Sequence, residues 1–291
     1  MISGVEPDRF TEKGEEEQVA DSAATLFSPH SVKVSIVIPA LNEEENLPYV
    51  MPRIPSGIHE VILVDGHSTD GTVATACQLC PEIRIIMQEG QGKGAAIRSG
   101  FAAATGDIVI ILDADGSTDP AEIPVFVGAL LAGADFVKGS RFLQGGGTAD
   151  MTPIRWFGNR FFVLLANLLF RTHFTDITYG YNAIWRAHAL FLALEIDGWA
   201  NEIISNIRAA RSGLCVVEVA SFEYERIAGE AKLVTFSAGW VILKAIMRER
   251  FRQPGKQAKS WLVRGTIKKL SDMVGEIASH SRPTGAIRET K

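Results

Sequence analysis

The chain has 291 residues, 46% of them hydrophobic and 22% charged, enough for one large α/β domain with appendages or two small domains. Its formal net charge of −5 argues against a general nucleic-acid binder. No apolar run reaches the ~18 residues that a membrane-spanning helix needs. The three cysteines, with no secretory-signal pattern before them, lead us to expect a reducing, cytoplasmic compartment.

Residues 1–31 are acid-rich (Glu6, Glu15, Glu16, Glu17) without a repeating apolar pattern, and are expected to form a disordered tail. The folded region, 32–251, opens with a buried-strand signal, Val34-Ser-Ile-Val-Ile-Pro39. A helix is expected from Glu43 with Asn42 as its N-cap. A second strand, Glu60 to Asp65, leads through the turn Gly66-His-Ser-Thr-Asp-Gly71 into a helix over Thr72 to Leu79. Cys77 and Cys80 form a C-x-x-C pair there, but no second pair exists, and they read as packed or half-exposed thiols. Strands at Arg84–Met87, Asp107–Leu112 and Ala134–Lys138 alternate with helices over Lys93–Thr105 and Pro120–Ala132.

Such short alternation predicts an α/β fold, a mostly parallel sheet with helices on both faces. Ligands of these sheets sit at the carboxyl ends of the strands. Asn42-Glu43, Asp65, Lys93 and Asp113-Asp115 all fall there. The second half carries a predicted helix over Pro153–Phe170, a polar-aromatic patch Asp176–Tyr181, a helix around Asn201–Ser212, a strand at Cys215–Val219 and a helix over Ala231–Phe251. Residues 252–291 are expected to be a basic tail, weakly helical or disordered.

The sharpest chemical signal is Leu112-Asp113-Ala-Asp115, an acidic pair immediately after a buried strand. Alternate residues of an extended segment point the same way, so both carboxylates can face one cation. Mg²⁺ and Mn²⁺ favour oxygen ligands, and substrate phosphates commonly complete their shells. Asp65 ends a strand, where its carboxylate can accept hydrogen bonds from a nucleobase or ribose. Asp70 and Gly71 are expected to shape the turn and cap the next helix.

The series Pro39-Ala-Leu-Asn-Glu43, Asp65 with its Ser-Thr-Asp-Gly-Thr turn, Gly90-Gln-Gly-Lys-Gly94, Asp113-Ala-Asp115 and Gly139-Ser-Arg141 resembles the family-2 glycosyltransferases. The likeness runs on through Asp176 to Gly180 and Arg226-Ile-Ala-Gly-Glu-Ala-Lys-Leu233, and is similar to the polyprenyl- or dolichyl-phosphate mannose synthase branch. The resemblance implies the GT-A fold, a Rossmann-like nucleotide-sugar-binding domain. It implies that Pro39, Leu41, Glu43, Val64, Asp65, Lys93 and Ala114 line the nucleotide-sugar site. Asp113 and Asp115 would hold Mg²⁺ or Mn²⁺ with the diphosphate, and Ser117 stands where a Gln commonly completes the metal shell. Arg141, Arg226 and Lys232 would neutralise phosphate on donor or acceptor, a task suited to the planar guanidinium fork. Leu41 replaces an aromatic residue usual in the branch, and Ala231 a serine.

The implied reaction is inverting transfer of a hexose from a GDP- or UDP-sugar to a polyprenyl phosphate, an acceptor that needs no general base. A hydroxyl acceptor, on a saccharide or small metabolite, would need one, and Asp176, Asp197 and Glu202 are the candidates. A nucleotidyltransferase would open on a G-x-G-T-R loop rather than Pro39-Ala-Leu-Asn-Glu43. A non-catalytic nucleotide-binding protein is the remaining alternative, and the intact Asp113/Asp115 pair speaks against it. The Ile154–Phe170 segment fits an interfacial helix with an Arg/Trp rim as well as it fits a core helix, and peripheral attachment to the inner membrane face is expected.

Overall fold

A computed structural model describes residues 32–192, 200–229 and 235–252. The sequence-predicted strands appear as β1 (Val34–Ala40), β2 (Glu60–Asp65), β3 (Arg84–Met87), β4 (Ile108–Ile111), β5 (Phe136–Ser140) and β8 (Val216–Ala220). The expected helices are α2 (Thr72–Leu79), α3 (Gly92–Ala103), α4 (Ile123–Leu131), α5 (Pro153–Phe170), α7 (Ala200–Arg211) and α8 (Thr235–Phe251), with short α1 (Leu47–Val50) and α6 (Ala189–Leu192) besides. The expected start of the last helix at Ala231, the disordered 1–31 tail and the basic tail beyond Arg252 lie outside the described residues.

With a further strand, β7 (Asn182–Trp185), they form one seven-stranded sheet in the order β3-β2-β1-β4-β7-β5-β8. Every pairing is parallel except those of β7, which runs antiparallel between β4 and β5. Burial on both faces explains the near-continuous apolar runs of β1, β2 and β4. Ile36 and Ile38 pack with Leu47, Ala76, Ile123 and Phe126 on one face. Val37, Ile62 and Val64 pack with Ala96, Ile97 and Ala209 on the other. A satellite core joins α5, α7 and α8 through Phe162, Ile203, Ile207, Ile242 and Ile246. Among the described residues no helix is long and apolar enough to cross a membrane.

One expectation fails in an informative way, and three strands go unforeseen. Asn42 does not cap a helix: its φ is +56°, outside the extended geometry of an N-cap, and helix begins only at Leu47. Its side chain instead accepts the Thr69 N–H at 2.8 Å, and its own N–H donates to Ser68 Oγ at 2.9 Å, joining the ends of β1 and β2. The unforeseen strands are β7 and the two that form the two-residue ladder of β6 (Gly147–Thr148) on β9 (Phe222–Glu223).

The turn before α4 anchors the far side of the site. Ser221 Oγ and Phe222 N both donate to the Glu122 carboxylate, fixing the corner from which Glu223 and Arg226 extend. Burial pushes this carboxyl up to about 7 against the hydrogen bonds from Ser221 and Phe222, and Asp119 adds to the rise. The folded state therefore holds a proton that the unfolded chain releases near its ordinary value, 4.5. This stabilisation is full below the unfolded value and is lost as pH climbs towards 7. Glu122→Gln should flatten the fall in melting temperature between pH 5 and 8, a difference on the order of 2 kcal/mol. An unchanged pH profile would refute the assignment.

Candidate active site

The acidic pair leaves the centre of the sheet. Leu112 extends the β4 ladder by donating its N–H to Val37 O at 3.0 Å. Beyond it Ala114 is buried in the core, while the side chains of Asp113 and Asp115 keep 21% and 26% of their surface exposed. The chain has already left the strand and turns at Ala114 and Asp115 rather than staying extended, yet the methyl faces in and both carboxylates reach solvent. Ser117 donates to Asp115 Oδ1 from its backbone N–H at 3.0 Å and its hydroxyl at 2.6 Å. Gly116, at φ +78°, lies under Ile227 so closely that a Cβ there would come within 2.3 Å of the Ile227 side chain.

Residues 224–228 are fastened onto this loop. Tyr224 N donates to Ser117 O at 2.9 Å and Ile227 N to Asp115 O at 3.1 Å. Between those bonds Arg226 reaches across two strand ends, to Asp115 Oδ2 at 3.3 Å and to Glu43 Oε2. Its Nε donates to Ala228 O at 2.6 Å. Asn46 completes the clamp, accepting Ala228 N at 2.8 Å while donating to Glu43 Oε2 at 2.6 Å. Asn46 carried no recognisable signal in the sequence; only its position one turn after Glu43 hints at the role.

Lys93, at the start of α3, bridges the other acid. Its Nζ lies 2.6 Å from Asp113 Oδ1 and 2.6 Å from Glu202 Oε1 on α7. Glu202 fits because residue 180 is glycine: a Cβ there would lie 2.5 Å from the Glu202 carboxylate. Burial works against the Lys93 ammonium, but Asp113 and Glu202 together raise its pKa and keep it charged. Burial pushes the Asp113 carboxyl up to about 6; Lys93 draws it down, and Asp115 and Glu202 push it further up.

The nucleoside-side residues divide. Leu41 is an exposed rim residue (39%) and Pro39 is partly exposed beside it. Val64 is fully buried among Val37, Ala96 and Ile97, so it can offer a ligand only its main chain. Asp65 is buried too, accepting the N–H groups of His67 and Ser68 at 3.1 Å each, and so shapes its own loop. Asp70 has its expected structural role, receiving Thr72 N at 3.0 Å at the start of α2.

Arg141, expected to meet phosphate, is engaged with side chains of the protein. Instead of presenting an open guanidinium, it is buried and donates to Asp176 at 2.6 and 2.9 Å, to Glu223 at 2.9 Å and to Thr178 at 2.8 Å. Asp176 is fully buried; burial raises its carboxyl, but Arg141 outweighs that and holds it below the usual range, which disfavours a general base. Beside this pair Lys138, a residue sequence reasoning missed, is wholly buried with its Nζ donating to Gly139 O at 3.0 Å. Burial lowers its pKa. Lys232 and Asp197 lie outside the described residues.

Among the described residues no set of three or more His, Cys, Asp or Glu side chains is arranged to hold a metal ion by itself. Asp113 and Asp115 nevertheless suit Mg²⁺ or Mn²⁺. They are oxygen-only donors, partly exposed, at one strand end, and burial together with repulsion from Asp115 already raises the Asp113 carboxyl. Two carboxylates leave the rest of an octahedral shell to phosphate oxygens and water.

Comparison with known proteins identifies the family. Glycosyl transferase family 2 matches residues 35–190, more than half of the chain, and the chain belongs to that family. It is 42% identical over 108 residues to an uncharacterized glycosyltransferase of Mycobacterium bovis, covering 37% of this chain and 48%, about half, of that relative's length. Over a longer span it is 31% identical to the undecaprenyl-phosphate mannosyltransferase of Micrococcus luteus, covering 74% of this chain and 92% of that protein. It is 32% identical to the polyprenol monophosphomannose synthase of Mycolicibacterium smegmatis, covering 76% and 88%. Among solved structures, glucosyl-3-phosphoglycerate synthase from Mycobacterium tuberculosis, in complex with Mn²⁺, UDP and glucosyl-3-phosphoglycerate, superposes with a TM-score of 0.60 at 23% identity. That match covers 79% of this chain and 83% of the other, and supports the GT-A fold.

Proposed function

We propose that the chain is an inverting, metal-dependent hexosyltransferase that moves a sugar from a GDP- or UDP-sugar to a polyprenyl phosphate at a membrane surface. The observation that carries the reading is the convergence of Asp113 and Asp115 with Lys93 and Arg226 at the carboxyl end of the central strand. Leu41 and Pro39 would flank the nucleoside, with Glu43 and the main chain at Val64 and Asp65 beside them. Asp113 and Asp115, with Ser117 orienting Asp115, would hold Mg²⁺ or Mn²⁺, which supplies positive charge to the departing diphosphate. Lys93 and Arg226 neutralise the same oxygens as the bond to the anomeric carbon breaks, and Lys232 would serve the acceptor phosphate. Arg141 then acts at one remove, locking Asp176 and Glu223 so that the 224–228 segment stays seated.

An anionic phosphate acceptor attacks the opposite face of the sugar without losing a proton. Glu202, the general-base candidate among the described residues that is not locked by Arg141, is paired with Lys93 at 2.6 Å. The two polyprenyl-phosphate relatives, alike along about three quarters of the chain, support the phosphate acceptor. The outer face of α5 supports the lipid setting. Ile154, Phe157, Phe161, Leu164 and Leu168 recur at helical spacing and are all exposed, with Arg160 and Arg171 exposed alongside. Neighbouring α8 adds exposed Trp240, Val241 and Phe251 among Lys244, Arg248 and Arg250.

The alternative is a transferase acting on a hydroxyl of a saccharide or small phosphorylated metabolite, for which the likeness to glucosyl-3-phosphoglycerate synthase speaks. One assay separates them. GDP- and UDP-hexoses with Mn²⁺ or Mg²⁺ are offered polyprenyl phosphate in anionic liposomes, or soluble saccharides and phosphoglycerate. The expected result is a lipid-extractable hexosyl phosphate, formed by protein that co-sediments with the liposomes and stopped by EDTA. Transfer to soluble hydroxyl acceptors alone would reject the lipid assignment.

A further inference from the structure

Both acids of the pair have a cation beside them. Lys93 Nζ sits 2.6 Å from Asp113 Oδ1 while holding Glu202 at the same distance. The Arg226 guanidinium lies 3.3 Å from Asp115 Oδ2 while holding Glu43. Neither basic group is a loose surface side chain. Lys93 and Arg226 each keep only 17% of their side-chain surface exposed, and Arg226 is further fixed through Ala228 and Asn46. Four carboxylates (Glu43, Asp113, Asp115, Glu202) are thereby gathered around two internal cations at one rim.

This arrangement bears on how a divalent ion can enter. A free ion approaching Asp113 and Asp115 must compete with two positive side chains, each already in contact with one oxygen of its carboxylate, and their charge offsets part of the attraction that the four acids would otherwise exert. A nucleoside diphosphate changes the balance because it brings its own anionic oxygens. Those oxygens can accept from the ammonium and the guanidinium while also ligating the ion. We propose that Lys93 and Arg226 are built-in counter-cations that keep Asp113 and Asp115 closed to a free divalent ion, so that the ion enters as its complex with the nucleoside diphosphate. The inference rests on the metal assignment made above and adds an order of binding to it. Before donor arrives each basic residue holds one oxygen of an aspartate. Once it arrives they turn to the diphosphate and leave the carboxylates to the ion.

The test reads Mn²⁺ binding by electron paramagnetic resonance, not activity. Wild-type protein without nucleotide should bind Mn²⁺ weakly, and saturating UDP or GDP should tighten that binding. Lys93→Met keeps the length of the side chain and removes its charge, leaving Asp113, Asp115 and Glu202 facing one another. It should bind Mn²⁺ alone about tenfold or more tightly than wild type, with a smaller gain from nucleotide. Lys93→Arg should stay weak like wild type. If Lys93→Met fails to fold, Arg226→Met puts the same question to Asp115. Equal Mn²⁺ affinity of wild type and the charge-removing variant, with nucleotide-dependent binding intact, would overturn the counter-cation inference alone. Absence of any Mn²⁺ site in every variant, with nucleotide present, would overturn it together with the metal assignment.

Discussion

Asp115→Ala is expected to lower kcat/KM for sugar transfer by about 10³-fold or more, the scale of losing one preorganised stabiliser of transition-state charge. The side chain is partly exposed, and its contacts are with the Ser117 hydroxyl and backbone and with the Arg226 guanidinium, all able to meet water instead. Stability should fall by only ~1–2 kcal/mol, the cost of those hydrogen bonds. A large kinetic loss in a folded protein is thus the signature of a ligand to the ion or diphosphate. Circular dichroism and a melting curve beside the kinetics separate this from unfolding. Wild-type turnover in Asp115→Ala would remove the acidic pair from the mechanism.

Asp176→Ala should act in the opposite way, on the fold first. Asp176 and Arg141 are both buried, and the carboxylate takes two of the guanidinium's hydrogen bonds. Deleting it breaks a buried ion pair and leaves the guanidinium with Glu223 and Thr178 alone, a loss of about 3–5 kcal/mol. For a domain of this size the melting temperature should drop by roughly 10 °C. The result discriminates between two roles for Arg141. A guanidinium reserved for substrate phosphate would tolerate loss of Asp176 with a change of ~1 kcal/mol or less. A guanidinium that anchors the 176–178 turn and Glu223 would not. A melting temperature within a few degrees of wild type would return Arg141 to the phosphate site.

These two residues mark the line between what the sequence disclosed and what it hid. Strands β1, β2 and β4 were legible because sheet burial on both faces leaves runs such as Ile108-Val-Ile-Ile111 that have few other uses. Asp113 and Asp115 were legible because their meaning is local: two acids at alternate positions directly after such a strand. Arg141 was not, because its partners lie 35 and 82 residues away and no local pattern reports them. The same reason hid the bridges Lys93–Glu202 and Arg226–Glu43, although each residue had been singled out separately. Strand β7 escaped for another cause. Asn182-Ala-Ile-Trp185 is four residues long, and its antiparallel place between β4 and β5 is set by the sheet rather than by its own pattern. Asn42 looked like a helix cap from residue type alone. Its positive φ and its bond to Thr69 show that the side chain braces the neighbouring loop.

A crystal of the protein grown with Mn²⁺ and a nucleoside diphosphate tests the account most directly, by the position of the manganese anomalous peak. We expect one peak within ligand distance of Asp113 or Asp115, shared with diphosphate oxygens, and with Lys93 and Arg226 turned towards the phosphates. A bound nucleotide lying elsewhere, or a manganese site that neither aspartate touches, would contradict it.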